Sequence, residues 1–140
     1  MACPVARDLP ARASKPALVV SADDNLREAS LAVLRAEGWS AVGASTCDEA
    51  LRLAGRIRLR AVVFDIGAAV DWFQCRRLRE ALHDVPVVVL SATWTPDRWY
   101  RGIAQRIGCA GFLVKPCAPR VMMDALHRTC AGEGWVEYVG

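Results

Sequence analysis

The chain's most constraining feature is the regular alternation of short apolar runs with longer amphipathic stretches. Residues 61–64 (AVVF) and 87–90 (VVVL) are continuous runs rich in valine. Such runs are typical of parallel strands that are covered on both faces. Further runs of strand length lie at residues 17–20, 40–44 and 111–114. The pattern therefore predicts five buried strands.

The stretches between these runs carry apolar residues at helical spacing, as in residues 25–37. Thr46 and Glu49 form a capping box that opens a second helix. Three more helices are predicted at residues 72–83, 98–107 and 120–130. Together these elements predict an α/β domain over residues 17–130. It is a doubly wound, five-stranded parallel sheet of the flavodoxin-like type, with strand order 2-1-3-4-5 and five helices.

The two ends of the chain lack this alternation. Residues 1–16 hold three prolines and no sustained period, so we expect a flexible N-terminal arm. Residues 131–140 contain Trp135 and Tyr138 and are interpreted as a C-terminal tail. Because ten residues follow residue 130, we expect no output domain there and an output through another protein.

Composition excludes several classes of protein. With 54% hydrophobic and 24% charged residues, the chain is neither disordered nor of low complexity. No apolar run approaches the roughly 20 residues that span a bilayer, so no membrane role is expected. A net charge of +3 is too small to favour a nucleic-acid partner. The six cysteines lack zinc-ligand spacing, and no signal peptide opens the chain, so we expect a cytoplasmic protein with free thiols.

Polar residues follow four of the predicted strands directly. Ser21 follows the first strand, Asp65 the third, Ser91 the fourth and Lys115 the fifth. The carboxyl ends of parallel strands share one edge of the sheet, where ligands bind in open α/β folds. An acid, two hydroxyls and a lysine are not expected together in a hydrophobic core. The sequence therefore predicts a functional site at this edge.

This arrangement resembles the receiver domain of bacterial two-component response regulators over nearly the whole predicted domain. The resemblance rests on Asp65 at the end of the third strand, on Ser91 with the alanine after it, and on Lys115 with the proline after it. Residues 108–116 (GCAGFLVKP) are particularly close to the family's form. Within them, Phe112 matches the family's aromatic switch position.

The resemblance implies a role for each of these residues. Asp65 would be the phosphoacceptor, and Ser91 and Lys115 would bind phosphoryl oxygens. Phe112 would swing inward when Ser91 moves toward the phosphate. Attack by a carboxylate on a phosphoryl donor needs its negative charge offset, which a cation and Mg²⁺ supply. The chain would then be a signalling protein rather than an enzyme, with a kinase or an effector as its partner.

The sequence departs from the family at the metal site. The family places two adjacent acids after the first strand, and Ser21 and Ala22 stand at those positions. Neither can replace a carboxylate as a ligand of Mg²⁺. Asp23 and Asp24 come two residues later. We favour their interpretation as caps of the following helix, while a rescue of the metal site by either acid stays an alternative.

Two loops depart as well. Residues 66–72 lack the family's Pro-Gly turn and are shorter than usual, so a backbone metal ligand is expected to be displaced. Residues 93–97 (TWTPD) are longer than usual and place Trp94 near the mouth of the site. Trp94 is either a lid or a ring packed on the adjacent helix.

These departures favour a pseudo-receiver, a protein-interaction module with impaired Mg²⁺-dependent phosphorylation and no cofactor. The alternative is a phosphorylatable receiver that uses Mg²⁺ and Asp65. A flavodoxin-like cofactor binder is disfavoured, because residues 21–25 place two carboxylates where a phosphate needs bare N–H groups.

The expected interface is the face formed by the fourth helix, the fifth strand and the fifth helix, which the family often uses. Trp99, Tyr100 and Arg101 are its candidate contacts, since aromatic and arginine side chains are enriched at interfaces. A homodimer stays open, although Ala110 and Gly111 replace the acidic pair that supports one common dimer of the family.

Overall fold

The apolar runs form one parallel sheet in the computed structural model, which describes residues 15–68, 70–91 and 98–138. Its strand order is β2-β1-β3-β4-β5-β6, and each neighbouring pair is parallel. The strands are β1 (Ala17–Val20), β2 (Ala41–Ala44), β3 (Ala61–Ile66), β4 (Val87–Ser91), β5 (Gly111–Val114) and β6 (Val136–Tyr138).

Five helices connect the strands within the described residues. They are α1 (Asp24–Ala36), α2 (Cys47–Ala54), α3 (Asp71–Ala81), α4 (Arg98–Ile107) and α5 (Pro119–Cys130). The predicted α/β architecture, its five helices and the order of its first five strands are confirmed. None of the described helices is long and apolar enough to cross a membrane. Residues 1–14, to which most of the predicted N-terminal arm belongs, lie outside the described residues.

The predicted number of five strands is wrong, because the C-terminal tail adds β6 beside β5. After α5, Gly132 adopts a φ of +87°, and its N–H donates to the carbonyl of Thr129 at 3.1 Å. This left-handed turn, which glycine adopts at little cost, sends the chain back toward the sheet edge. The Val136 N–H then donates to the carbonyl of Ala110 at 3.1 Å. Parallel strands must be joined by a crossover connection, and α5 is the crossover between β5 and β6.

Side-chain caps fix the beginnings of two helices next to the carboxyl edge of the sheet. Asp23 is the N-cap of α1, and its carboxylate accepts from the N–H of Leu26 at 3.1 Å. Thr46 caps α2 by accepting from the N–H of Glu49 at 3.1 Å. The predicted N-cap at Thr46 is therefore confirmed, and both loops enter their helices at a defined angle.

Both faces of the sheet are buried, which accounts for the continuous apolar runs. Successive residues of a strand point to opposite faces, so Val62 packs into the layer of α2, α3 and α4 while Val63 packs into the layer of α1 and α5. Val89 and Val88 divide in the same way on β4. The two layers hold the strand ends in fixed register, and the site is built on those ends.

Candidate functional site

Three of the polar residues predicted at the strand ends meet at the carboxyl edge of the sheet. Ser21 directly follows β1, Asp65 is the penultimate residue of β3, and Lys115 directly follows β5. Parallel pairing keeps these ends level, since Val20 lies beside Phe64 in the register of β1 and β3. The register of the core strands thus brings residues that are far apart in sequence into one cluster.

Both carboxylate oxygens of Asp65 are occupied by protein groups. The Ser21 hydroxyl donates to Oδ2 at 2.7 Å. The Lys115 ammonium donates to Oδ1 in an ion pair. The Asp65 side chain is 9% exposed and that of Lys115 is 21% exposed, so water screens the pair only in part. The protein itself therefore compensates the charge of Asp65.

Ser21 is held in place from several directions. Its side chain is buried, at 2% exposure, and its Oγ also accepts from the N–H of Asp23 at 3.1 Å. Its carbonyl accepts from the Arg27 guanidinium at 2.8 Å. These contacts aim the hydroxyl at Asp65, at a position where the receiver family has a carboxylate.

The two acids after Ala22 are engaged by the first helix. Asp23 caps α1, as described above, and Asp24 forms an ion pair with Arg27 at 2.6 Å. Their negative charge is favourable at a helix N-terminus. The exposed Ala22 offers no polar side chain to the site. Asp23 is thus a helix cap, and Asp24 is engaged by the guanidinium of Arg27.

The short loop after β3 is closed by a carboxylate. Asp71, the first residue of α3, accepts from the N–H groups of Gly67 and Ala68 at 2.8 and 2.9 Å. Sequence reasoning missed this contact. The available signal was an aspartate a few residues beyond a glycine, a common arrangement in turns. The Asp71 bonds tie the backbone after Asp65 to the beginning of α3.

A cleft of about 500 Å³ lies over this cluster. Each of the four acids that line it already has a donor or a cation. Asp48 pairs with Arg77 at 3.2 Å, and the partners of the other three acids, Asp23, Asp65 and Asp71, are given above. Among the described residues, no group of three or more His, Cys, Asp or Glu side chains is placed to hold a metal ion. A Mg²⁺ ion in this cleft would compete with these donors and cations for the carboxylate oxygens.

Cys47 also lines the cleft, at the first position of α2. Burial raises the pKa of its thiol, although the positive charge of Arg77 lowers it in part. Its Sγ donates to the carbonyl of Gln74 at 3.3 Å. A thiol with a raised pKa stays protonated at neutral pH and is a poor nucleophile. Cys47 therefore packs in this cleft as a protonated thiol that donates to Gln74.

The two remaining family positions lie inside the fold. Ser91 is fully buried at the end of β4, and its carbonyl accepts from the N–H of Lys115 at 2.8 Å. Phe112 on β5 is 5% exposed and belongs to the core layer of α2, α3 and α4. The aromatic ring at the predicted switch position is thus packed inward, in the core.

The tail engages one of the predicted interface residues. Arg101 on α4 forms an ion pair with Glu137 of β6 at 2.9 Å. Tyr100 packs against Trp72 of α3, with ring centroids 5.4 Å apart. The side chain of Trp99 and the whole of residues 92–97, including Trp94, lie outside the described residues. β6 thus occupies part of the face that was predicted as the interface.

The chain has the fold of response-regulator receiver domains. The chemotaxis protein CheY4 of Vibrio cholerae matches with a TM-score of 0.73 and 22% sequence identity, covering 81% of this chain and 97% of that one. A CheY-like receiver domain protein of Methanospirillum hungatei has a TM-score of 0.75 at 16% identity, covering 84% and 94%. A response regulator of Burkholderia pseudomallei, solved with a phosphorylated aspartic acid, a calcium ion and citrate, has a TM-score of 0.73 at 22% identity, covering 84% and 69%. No protein-family model and no curated protein sequence matches the chain.

Replacing Lys115 with methionine is expected to destabilise the fold by about 2 kcal/mol, because it leaves the carboxylate of Asp65 without its cation in a largely buried position. Chemical denaturation of the purified variant measures this loss. The matched control is the double variant Asp65→Asn with Lys115→Met, which removes both charges and should recover most of the stability. Equal losses in the single and double variants would show that the ion pair is not the cause.

Proposed function

We propose that the protein is a pseudo-receiver, a receiver-like signalling module that acts by binding another protein and in which Mg²⁺-dependent phosphorylation of Asp65 is impaired. One observation carries this proposal. A buried hydroxyl, that of Ser21, donates to Asp65 at 2.7 Å from a position where the receiver family has an acid.

The chemistry of phosphoryl transfer supports this assignment. An attacking carboxylate and a phosphoryl donor repel each other unless cations neutralise the developing charge. Lys115 supplies one cation, but the carboxylates available for a metal ion are engaged by Leu26, Arg27, Arg77 and the N–H groups after Asp65. The Asp65 oxygen that attacks would also have to present a lone pair to the phosphorus while its present partner is displaced or kept aside. Each requirement raises the barrier to phosphorylation.

The position of Phe112 supports an output that does not depend on phosphate. In the family that this chain resembles, the aromatic ring moves inward as the hydroxyl of the fourth strand approaches the phosphate. Here the ring is already buried in the core. We infer that the binding surface is set by the packing of this ring in the core.

The partner in this proposal is another signalling protein, either a kinase or an effector. Nucleic acid is not the proposed partner, since the net charge is only +3. We place the protein in the cytoplasm, and the five cysteines of the described residues are free thiols, as a reducing compartment requires.

A second candidate function is that of a phosphorylatable receiver. The observation that favours it is the direct ion pair between Lys115 and Asp65, which keeps a cation beside the acceptor. In that reading, Asp23 or Asp24 would have to leave its cap or its ion pair to hold Mg²⁺.

Intact mass spectrometry after incubation with acetyl phosphate separates the two candidates. The samples are the full chain with and without Mg²⁺ and the Asp65→Asn variant under the same conditions. The pseudo-receiver proposal predicts no phosphate adduct in any sample. An adduct that requires Mg²⁺ and is lost in Asp65→Asn would replace this proposal with the phosphorylatable receiver.

A further inference from the structure

Helices α3 and α4 leave a groove between them on the side of the domain away from α1 and α5. Its volume is about 650 Å³, and the residues that line it include Trp72, Phe73, Arg76, Tyr100, Ile103 and Arg106. Phe73 is 69% exposed, more than any other large apolar side chain of the described residues. An exposed phenyl ring that continues into an apolar groove marks a surface built to be covered.

The aromatic wall of this groove carries an unsatisfied donor. Trp72 is 6% exposed, and its ring lies 5.4 Å from that of Tyr100. Among the described residues, its indole N–H has no hydrogen-bond acceptor. Buried N–H groups are nearly always paired in folded proteins. The Nε1 atom is itself buried, so Trp72 offers the groove its ring and not its N–H.

Two arginines and one acid, Glu80, line the groove, so its rim has one positive charge in excess. Arg76 and Arg106 both line it, and Arg76 is paired with Glu80 at 3.2 Å. Arg106 is exposed and forms no ion pair among the described residues. The guanidinium of Arg106 is therefore available to form an ion pair with a carboxylate of a bound partner. Arginine beside aromatic side chains is the composition of energetically important interface positions.

We propose that this groove binds an acidic amphipathic helix of a partner protein. The groove lies between two helices and offers no strand edge, which favours a helix as the occupant. The apolar face of that helix would cover Phe73, Ile103 and the Trp72–Tyr100 pair, and its acidic side chains would reach Arg106. The alternative occupant is a second copy of this chain, which the sedimentation experiment below detects.

The surface next to β5 is less accessible to a partner than this groove. The edge of β5 is already covered by β6, and Arg101 is neutralised by Glu137. In contrast, Phe73 and Arg106 are exposed. Asp71, which binds the loop after Asp65, immediately precedes Trp72 in α3. The groove is thus built on the helix whose first residue anchors the loop after Asp65. The inference rests on the proposed function only in taking a protein as the partner.

The test uses the full chain and two synthetic peptides labelled with fluorescein. Both are amphipathic helices with leucines on one face. One carries glutamates beside that face, and its counterpart carries lysines. Fluorescence anisotropy should show binding of the glutamate peptide and weaker binding of the lysine peptide.

Phe73→Ser and Arg106→Glu should each weaken binding of the glutamate peptide by about tenfold. Arg106→Glu should strengthen binding of the lysine peptide. Arg120→Glu, an exposed arginine on α5, is the control and should change neither.

A second readout locates the bound peptide. The indole N–H resonance of Trp72, assigned with Trp72→Phe, should shift when the glutamate peptide binds. Equal binding of the two peptides, or binding unaffected by Phe73→Ser and Arg106→Glu, would overturn the proposal. A dimer of the chain that Phe73→Ser abolishes in sedimentation experiments would also overturn it, since the occupant would be a second copy. None of these binding experiments contains a phosphodonor. Phosphorylation of Asp65 by acetyl phosphate would therefore refute the proposed function without changing the peptide-binding results.

Discussion

Replacing Ser21 and Ala22 together with aspartate is expected to create a Mg²⁺ site beside Asp65. The change removes the hydroxyl that donates to Oδ2 and supplies two adjacent carboxylates at the end of β1. One or two carboxylates with water molecules are sufficient ligands for Mg²⁺. We therefore expect this variant to form a Mg²⁺-dependent phosphate adduct with acetyl phosphate that the unchanged protein does not form.

The stability of this variant should depend on Mg²⁺. Without the metal ion it should be about 2 kcal/mol less stable than the unchanged protein, because a carboxylate replaces a buried hydroxyl beside Asp65. With Mg²⁺ at a hundredfold excess over its Kd, binding should return about 2.7 kcal/mol. Denaturation with and without Mg²⁺ measures both values. The matched control is asparagine at both positions, which has nearly the same shape without the charge. Equal stabilisation of this control by Mg²⁺ would show that the carboxylates are not the ligands.

Replacing Gly111 with alanine is expected to displace β6 and to cost about 2 kcal/mol. A Cβ at this position would lie 2.9 Å from the carbonyl oxygen of Val136, too close for any ordinary contact. The strand must then move away, which also breaks the ion pair between Glu137 and Arg101. Chemical denaturation measures the loss, and hydrogen exchange at Val136 reports the displacement directly.

Gly102→Ala is the matched control for this change. Gly102 lies within α4, and nothing is within 4 Å of a Cβ built there. Alanine is favoured over glycine in a helix by roughly 0.5–1 kcal/mol, so this variant should be slightly more stable and leave β6 protected. Unchanged protection of the Val136 amide in Gly111→Ala would contradict the close packing of β6 on β5.

The first five strands and the helices could be predicted from the sequence because their signals are local. The runs at residues 61–64 and 87–90 are buried on both sides of the sheet, and Thr46 caps its helix. β6 could not be predicted in the same way. It has three residues, of which only Val136 is fully buried. Its position depends on space beside Gly111 and on a turn at Gly132, which no periodicity reveals.

The convergence of Ser21, Asp65 and Lys115 could also be predicted, because each directly follows or ends a parallel strand. The hydrogen-bond and ion-pair partners that orient these side chains could not be predicted. The direction of the Ser21 hydroxyl depends on contacts with Asp23 and Arg27 that form only in the folded chain. The ion pair that engages Arg101 comes from the tail, whose strand was itself missed.

Paramagnetic broadening by Mn²⁺, used in place of Mg²⁺, tests the central claim most directly. Amide resonances of the full ¹⁵N-labelled chain are recorded during the titration, with the Ser21→Asp, Ala22→Asp variant as the positive control. Because Ser21 and Lys115 occupy the carboxylate of Asp65, we predict no selective loss of the amide signals of these three residues in the unchanged protein. The variant should lose them. Selective loss of the same signals in the unchanged protein would contradict the account, since it would place a metal ion where the hydroxyl and the ammonium now lie.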